Sequence, residues 1–475
     1  MEKIKNNLSN RNNIMSNDND IYEESKKEQV FSRLNSRKKK IQLLIMQKRY
    51  SGDYINLNAN TNKNPTSSLN KYQNKKIDID SLTINEEYKS EKKIQEILSQ
   101  SNFDTIFSFV NEIYNTKNYQ PDRLKYGLYL LNEKLLDDDI NYKANVSDLP
   151  KRYNFVDIIY KLLTFSRNEI DSKDSYDEKL LNITYKILIN YSFNAKNDDN
   201  TFLFNDDFIN LHLYFLNFVS NDSILNNILI FLNNICLENE IANNKAFHYN
   251  NNKLIKVLEE LAANALKNEK FKLLESITAL FITYINNITQ DINYLNATAI
   301  QVIFSTCNLL LNTNDQIVND IIYIIGNIYK LLYKKQIFRI LSDCINNSAD
   351  LIYYIINKDY SDCPEIIADT CRIFQYIYKC YSELTDDNLK KYLQKIIDKN
   401  NNNIINLISC LFQKNYTNKI KSKLLNVFIS ISECDKYYCS LFENLSDPYQ
   451  FLIKSISSPE YKIRRKVLSA LSKLS

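Results

Sequence analysis

Glycine is almost absent from this sequence: it accounts for only 3 of the 475 residues, and there is no tryptophan. Glycine supplies the positive φ angles on which tight turns, phosphate-binding loops and parallel βαβ crossovers depend. From about residue 94 to the C-terminus the chain instead shows apolar stretches with helical spacing, separated by short links rich in Asn, Asp and Ser. This pattern predicts an all-α fold.

One sequence phrase recurs along these stretches, a largely apolar run that closes on asparagine. Clear copies occupy residues 181–191, 227–235, 280–287 and 320–328, and weaker copies that lack the closing asparagine occupy 368–376, 423–430 and 465–473. The closing residues Asn190, Asn234, Asn286 and Asn327 lie 44, 52 and 41 residues apart. HEAT and armadillo repeats are roughly 40–47 residues long. We therefore predict an armadillo/HEAT-like, right-handed α-solenoid over residues 94–475.

A basic peptide precedes this predicted array. Residues 31–51 contain no Asp or Glu and carry seven basic residues, namely Arg33, Arg37, Lys38, Lys39, Lys40, Lys48 and Arg49. The chain has a net charge of +4, and without these seven it would have 53 basic against 56 acidic residues, a charge of −3. We predict an N-terminal arm with a basic helix over residues 1–50 and a flexible linker rich in Asn, Ser, Thr and Lys over 51–93.

Residues able to support catalysis or metal binding are scattered. The nine cysteines form no CxxC pair, and only His212 and His248 are available to complete a Cys/His metal set. Most cysteines lie in apolar runs, which favours buried thiols in a reducing compartment. Without a phosphate-binding loop or a nucleophile–base pair, the sequence predicts a protein that is not an enzyme and has no cofactor or metal site.

The sequence also bears on membranes and nucleic acids. The start of the chain is polar, and no apolar run approaches the roughly 18 residues of a membrane span. We therefore expect an intracellular protein without membrane insertion. The small net charge gives no reason to expect direct nucleic-acid binding.

Three stretches of this chain resemble the importin-alpha (karyopherin-alpha) family. Residues 37–49 resemble its importin-beta-binding segment, 121–131 its opening repeat, and 221–238 its third repeat. The resemblance implies a nuclear import adaptor, present in cytoplasm and nucleus. Its partners would be cargo proteins with basic nuclear localisation signals and an importin-beta-like receptor, the latter bound through the seven basic residues.

The resemblance also implies a signal-peptide site. In the family, asparagines in the last helix of several repeats bind the main chain of the signal, and an acidic residue four places later pairs with its key lysine. A tryptophan normally stands four places before each asparagine, and the matching positions here are Lys186, Ile230, Ile282 and Tyr323. The implied site therefore consists of Asn190, Asn234, Glu238, Asn286, Tyr323 and Asn327.

Two further hypotheses concern the arm and the array. The arm is long enough to fold back through its linker and occupy the groove as a substitute signal. Alternatively, the basic run is a solvated arm or a localisation signal of this protein itself. A separate hypothesis for the array is an armadillo/HEAT scaffold whose groove binds another protein partner. Such a scaffold needs neither the basic arm nor acidic residues facing the asparagine row.

Overall fold

The computed structural model describes residues 98, 103–115, 121–136, 155–173, 175–194, 203, 205–238, 240–290, 296–311, 313–335, 352, 364–413, 418–434, 436–437, 441, 452–453 and 455–474. All of them fall in one unit of the chain, residues 75–475. The predicted arm, with its seven basic residues, and the whole of the predicted linker lie outside the described residues.

Within these residues the chain forms α-helices and contains no β-strand. The helices with complete bounds are α1 (Phe103–Asn115), α2 (Pro121–Leu136), α3 (Phe155–Lys173), α4 (Glu178–Asn194), α5 (Asp206–Phe218), α6 (Asp222–Glu238), α7 (Glu240–Lys267), α8 (Phe271–Gln290), α9 (Ala297–Leu309), α10 (Asp315–Lys335), α11 (Pro364–Glu383), α12 (Asp387–Gln413), α13 (Asn418–Ser432) and α14 (Tyr461–Leu474). None of them is long and apolar enough to cross a membrane.

The helices pack in two rows. The main row is a succession in which each helix packs on the next, in the order α2, α4, α6, α8, α10, α11, α13 and α14. A second row, α3, α5, α7 and α9, packs in the same sequential way, and α3, α5 and α7 contact helices of the main row. Such neighbour-to-neighbour packing of helical units defines an α-solenoid, so the all-α armadillo/HEAT-like fold predicted from the sequence is confirmed.

The recurring phrase corresponds to the main row. Each of its seven copies, weak ones included, lies inside a main-row helix, from 181–191 in α4 to 465–473 in α14. Helices α4, α6, α8 and α10 begin at residues 178, 222, 271 and 315, which are 44, 49 and 44 residues apart. The sequence periodicity therefore reports one main-row helix per repeat.

Asparagine and aspartate start many of these helices. The side-chain oxygens of Asn205, Asn221, Asn296 and Asn314 accept hydrogen bonds from backbone N–H groups in the first turns of α5, α6, α9 and α10. Asp177 and Asp386 do the same for α4 and α12. These N-caps satisfy donors that have no partner within the helix. The polar links of the sequence thus define where each helix begins.

Helix α7 is broken in its middle. Tyr249 is extended, and Asn250, Asn251 and Asn252 have φ angles of 45°, 55° and 63°, in the left-handed region. Among non-glycine residues asparagine enters this region more readily than most. Three asparagines in succession therefore give the chain a turn that other proteins build with glycine.

The core runs between the rows and is aliphatic and aromatic. Its largest fully buried side chains include Tyr185 and Tyr191 of α4, Phe215 of α5 and Phe231 of α6. At one end, Gly127 of α2 faces α1, and a Cβ atom added there would lie 2.8 Å from Cγ2 of Val110. The absence of a side chain at Gly127 therefore lets α1 and α2 approach closely.

Candidate functional site

The four closing asparagines lie on four successive main-row helices. Asn190 belongs to α4, Asn234 to α6, Asn286 to α8 and Asn327 to α10. Three of them are buried, with exposed fractions of 3% for Asn190, 5% for Asn286 and 4% for Asn327, and Asn234 is partly exposed. Whether each asparagine can bind a ligand therefore depends on the hydrogen bonds that its side chain already makes inside the protein.

Asn190 is bonded to the preceding repeat. Its Nδ2 donates a hydrogen bond of 2.6 Å to Oδ1 of Asn132, a buried residue of α2. The amide of Asn190 thus joins α4 to α2 instead of facing solvent.

Asn234 has a weaker inward contact. Its Nδ2 lies 3.4 Å from Oγ of Ser192 on α4, at the long end of hydrogen-bond distances. The tighter bond between α6 and α8 is made by its neighbour Asn233, whose Oδ1 accepts from Oγ1 of Thr283 at 2.6 Å. Asn234 is therefore the predicted asparagine whose amide is best placed to bind something outside the core.

Asn286 and Tyr323 are brought together by the fold. The Tyr323 hydroxyl, on α10, donates a hydrogen bond of 3.0 Å to Oδ1 of Asn286 on α8, and both side chains are 5% exposed. The sequence resemblance gave these two residues separate contacts with a signal peptide. Here they contact each other.

Asn327 belongs to a buried charged cluster. Its Oδ1 accepts a hydrogen bond of 3.1 Å from Nη1 of Arg372 on α11, and Nη2 of the same guanidinium pairs with Asp369. The Arg372 guanidinium carbon lies 5.0 Å from the centre of the Tyr323 ring. Arg372 therefore occupies, from within the chain, both the Asn327 side chain and the Tyr323 ring, to which the resemblance gave contacts with a signal peptide.

These contacts together form what we call the buried polar ladder: Asn132, Asn190, Asn233, Thr283, Asn286, Tyr323, Asn327, Arg372 and Asp369. Each of its members is at most 8% exposed. Buried polar groups are stable only when they are hydrogen-bonded, so each rung favours one alignment of neighbouring helices. The ladder therefore favours the observed register of α2 with α4 and of α6 through α11.

Sequence reasoning did not identify Asn132, Thr283 or Arg372. A signal for Arg372 exists in the spacing, since it follows Asn327 by 45 residues, about one repeat.

The side chain of Glu238 and the seven basic residues lie outside the described part of the structure. At the other positions where the family has tryptophan, Ile282 is buried and Lys186 and Ile230 are partly exposed. Signal binding by the predicted residues stays a prediction.

A second set of contacts links the starts of the first main-row helices. Lys125 of α2 bonds Asp177 at 2.9 Å, Asn221 donates to Glu178 at 2.8 Å, and Lys270 bonds Asp222 at 2.7 Å. In the two ion pairs a lysine of one repeat meets a carboxylate of a neighbouring repeat. Charges at these positions are therefore satisfied within the chain.

The imidazole of His212 and several cysteine thiols are buried. His212 is 1% exposed, its Nδ1 lies 2.9 Å from the Tyr185 hydroxyl, and burial lowers its pKa to about 3. Burial likewise raises the pKa of the thiols of Cys236, Cys307 and Cys371, which keeps them protonated at neutral pH. Across the described ranges, no three His, Cys, Asp or Glu side chains are grouped closely enough to hold a metal ion.

Comparison with known proteins gives similarity in structure only. No family model matches the chain, and no curated protein sequence matches it. Among solved structures, an engineered protein matches with 12% identity and a TM-score of 0.40, covering 57% of this chain and 99% of its own.

Two designed armadillo repeat proteins are also similar. One, in complex with the peptide (KR)4, has 15% identity and a TM-score of 0.38 and covers 56% of this chain and 98% of its own. The other has 13% identity and a TM-score of 0.31 and covers 67% of this chain and 98% of its own.

Proposed function

We propose that this protein is an armadillo/HEAT scaffold that binds a segment of another protein along its main row of helices. A stack of helical repeats presents a long continuous surface, which suits an extended or helical partner. The observation that carries the proposal is that each of six successive main-row helices has at least one partly exposed polar side chain. These side chains include Lys186, Asn234, Ser276, Asp320, Gln375 and Asn426.

These side chains have the chemistry to hold a peptide. Amide and hydroxyl groups donate to and accept from a main chain without selecting one sequence. The interaction between Asn426 Nδ2 and Gln375 Oε1, at 3.3 Å, and that of Asn234 with Ser192, at 3.4 Å, are long. Such bonds are exchanged for bonds to a ligand at lower cost than the short bonds of the buried polar ladder.

Site-specific photo-cross-linking tests the proposal. A photoreactive amino acid placed at Asn234 or at Gln375 is expected to cross-link a partner protein in cells. The matched control carries the same amino acid at Asn264, an exposed residue of α7 in the second row. Cross-links from position 264 with none from the main row would place the binding surface elsewhere and refute the proposal.

A more specific form of this function is nuclear import. We propose it as the second candidate, with basic cargo signals bound by Asn234 and Glu238 and an importin-beta-like receptor bound by the basic arm. It is supported by the presence of one closing asparagine on each of four successive main-row helices, and by the seven basic residues of the arm. It also implies that the protein occurs in both cytoplasm and nucleus.

Fluorescence anisotropy with a lysine-rich signal peptide separates the two candidates. If the arm competes for the groove, the substitutions Lys38→Ser, Lys39→Ser and Lys40→Ser should strengthen peptide binding by the full chain. Adding Asn234→Ala and Glu238→Ala should then weaken it, because a charge-assisted hydrogen bond and a main-chain contact are lost. Absence of binding by the arm-neutralised chain would rule out the import role and leave the general scaffold.

A further inference from the structure

Three groups that bind cations converge on Arg372 where α10 packs on α11. Its Nη1 donates to Oδ1 of Asn327 at 3.1 Å, its Nη2 pairs with the Asp369 carboxylate, and its guanidinium carbon lies 5.0 Å from the centre of the Tyr323 ring. A ring face, an amide oxygen and a carboxylate together suit a guanidinium, because its charge is spread over a plane edged with donors. Tyr323, Asn327 and Asp369 thus form a guanidinium site, which we call the cation pocket, and Arg372 fills it.

The cation pocket is closed over its internal cation. Arg372 and all three residues of the pocket are at most 8% exposed. The stem of Arg372 runs past Gly326 of α10, where an added Cβ atom would lie 3.5 Å from Cδ of the arginine, in van der Waals contact. A second cation therefore has no place in the pocket while Arg372 is there.

Arg372 is not the simplest residue with which to join these helices. Its Nε is buried and has no hydrogen-bond partner in the described part of the chain. An unmet buried donor costs free energy, and an apolar set of similar volume often replaces a buried ion pair without loss of stability. Holding α10 to α11 therefore does not by itself require an arginine at position 372.

An exposed counterpart of this arrangement occurs in the second row. The guanidinium carbon of Arg167 lies 4.8 Å from the centre of the Tyr214 ring, and its Nε lies 3.6 Å from the Asp171 carboxylate. The side chains of Arg167 and Asp171 are 44% and 53% exposed. A cation from solvent can reach Asp171 while Arg167 stays in place, which makes Arg167 a matched control for the buried Arg372.

We propose that Arg372 is a specificity-determining residue of the main row, which keeps lysine and arginine side chains of a partner out of the cation pocket. This inference rests on the proposed scaffold function and names a class of side chain that the surface rejects at α10 and α11. The charges of Arg372 and Asp369 cancel, so the pocket offers a partner segment no net charge. Without Arg372, the Asp369 carboxylate and the Tyr323 ring would attract a basic side chain.

Occupation of the pocket by a free cation is the first measurement. N-ethylguanidinium has the atoms that Arg372→Ala deletes, and N-ethylurea has a similar shape without the charge. At about 10 mM, N-ethylguanidinium should raise the Tm of full-length Arg372→Ala by about 2 °C or more, and N-ethylurea should not. The native chain and Arg167→Ala should show no rise with either compound.

Fluorescence anisotropy with a labelled peptide of alternating Arg and Ser then tests the rejection of basic side chains. Arg372→Ala should bind this peptide about tenfold more tightly than the native chain, because a charged hydrogen-bond acceptor becomes available. Arg167→Ala changes net charge equally and should bind like the native chain. Adding Asp369→Asn to Arg372→Ala should remove the gain. If Arg372→Ala is unfolded on its own, recovery of its far-UV circular dichroism by the Arg/Ser peptide replaces the gain in affinity.

Three results would overturn the inference. They are equal affinities of Arg372→Ala and the native chain, equal gains in Arg372→Ala and Arg167→Ala, and an unfolded Arg372→Ala that the peptide does not recover. A rise in Tm with N-ethylguanidinium but no gain for the peptide would place the pocket beyond the reach of a partner, which also counts against it. If the peptide test fails while partners still cross-link at Asn234, the scaffold function stands and only the role of Arg372 is excluded.

Discussion

The hydroxyl of Tyr323 on α10 reaches across to α8 and donates its hydrogen bond to Oδ1 of Asn286. Both residues come from copies of the same sequence phrase, one repeat apart. Two residues of the predicted peptide-binding row therefore join neighbouring repeats. Several consequences for stability can be measured.

Removal of the Tyr323 hydroxyl should weaken the contact between α8 and α10. Tyr323→Phe is expected to lower the free energy of unfolding by about 1–2 kcal/mol, because a buried acceptor loses its donor. Urea denaturation followed by circular dichroism measures the change. Tyr333→Phe is the control: its bond to Glu383 is exposed, so a change below about 0.5 kcal/mol is expected. Equal effects of the two substitutions would contradict a special role for the buried bond.

Arg372 should be more costly to remove than Tyr323. Arg372→Met leaves the Asp369 carboxylate without its guanidinium partner at a buried site and should lower the free energy of unfolding by about 3–5 kcal/mol. Adding Asp369→Asn should recover part of the loss, since the remaining charge is then removed. A double variant less stable than Arg372→Met would show that the pairing is not the source of the effect.

Two helical glycines should respond in opposite directions to alanine. Gly127→Ala should destabilise the protein by about 1–3 kcal/mol, because the new methyl group would lie 2.8 Å from Val110. At Gly326 the nearest atom, Cδ of Arg372, is 3.5 Å away, so Gly326→Ala should stabilise α10 by up to about 1 kcal/mol through helix propensity. Thermal unfolding of both variants checks this, and destabilisation at both sites would refute the contrast.

The buried imidazole of His212 should make stability depend on pH. Its pKa is lowered to about 3 in the folded protein, whereas the unfolded value is about 6.5. The unfolded chain therefore binds the proton first, and stability that is present above pH 6.5 is lost as the pH falls towards 3. Between pH 7 and pH 5 the loss should be about 2 kcal/mol.

Urea midpoints measured across this range give the slope. His212→Phe should reduce the change of the urea midpoint with pH, even if the substitution also alters stability at neutral pH. An unchanged slope in the His212 variant would show that another group titrates.

The repeat architecture could be predicted from the sequence because seven main-row helices carry the same phrase. The helical spacing of its apolar residues is recognisable even in the weaker copies. The ladder could not, since Asn190 and Asn234 look alike in sequence. Their burial depends on which residue of the neighbouring helix faces them, Asn132 in one case and Ser192 in the other. Arg372 was missed for the same reason: its role depends on its contacts with Tyr323 and Asn327 on the preceding repeat, which its own helix does not reveal.

The strongest packing contacts of each main-row helix are with helices close to it in the chain. Every repeat therefore needs only the repeat before it as a surface on which to fold. During synthesis on the ribosome that preceding repeat has already emerged, since domains and repeats fold in order from the N-terminus. The protein can thus fold repeat by repeat during synthesis. The apolar face of each folded repeat is covered as soon as the next helices leave the exit tunnel.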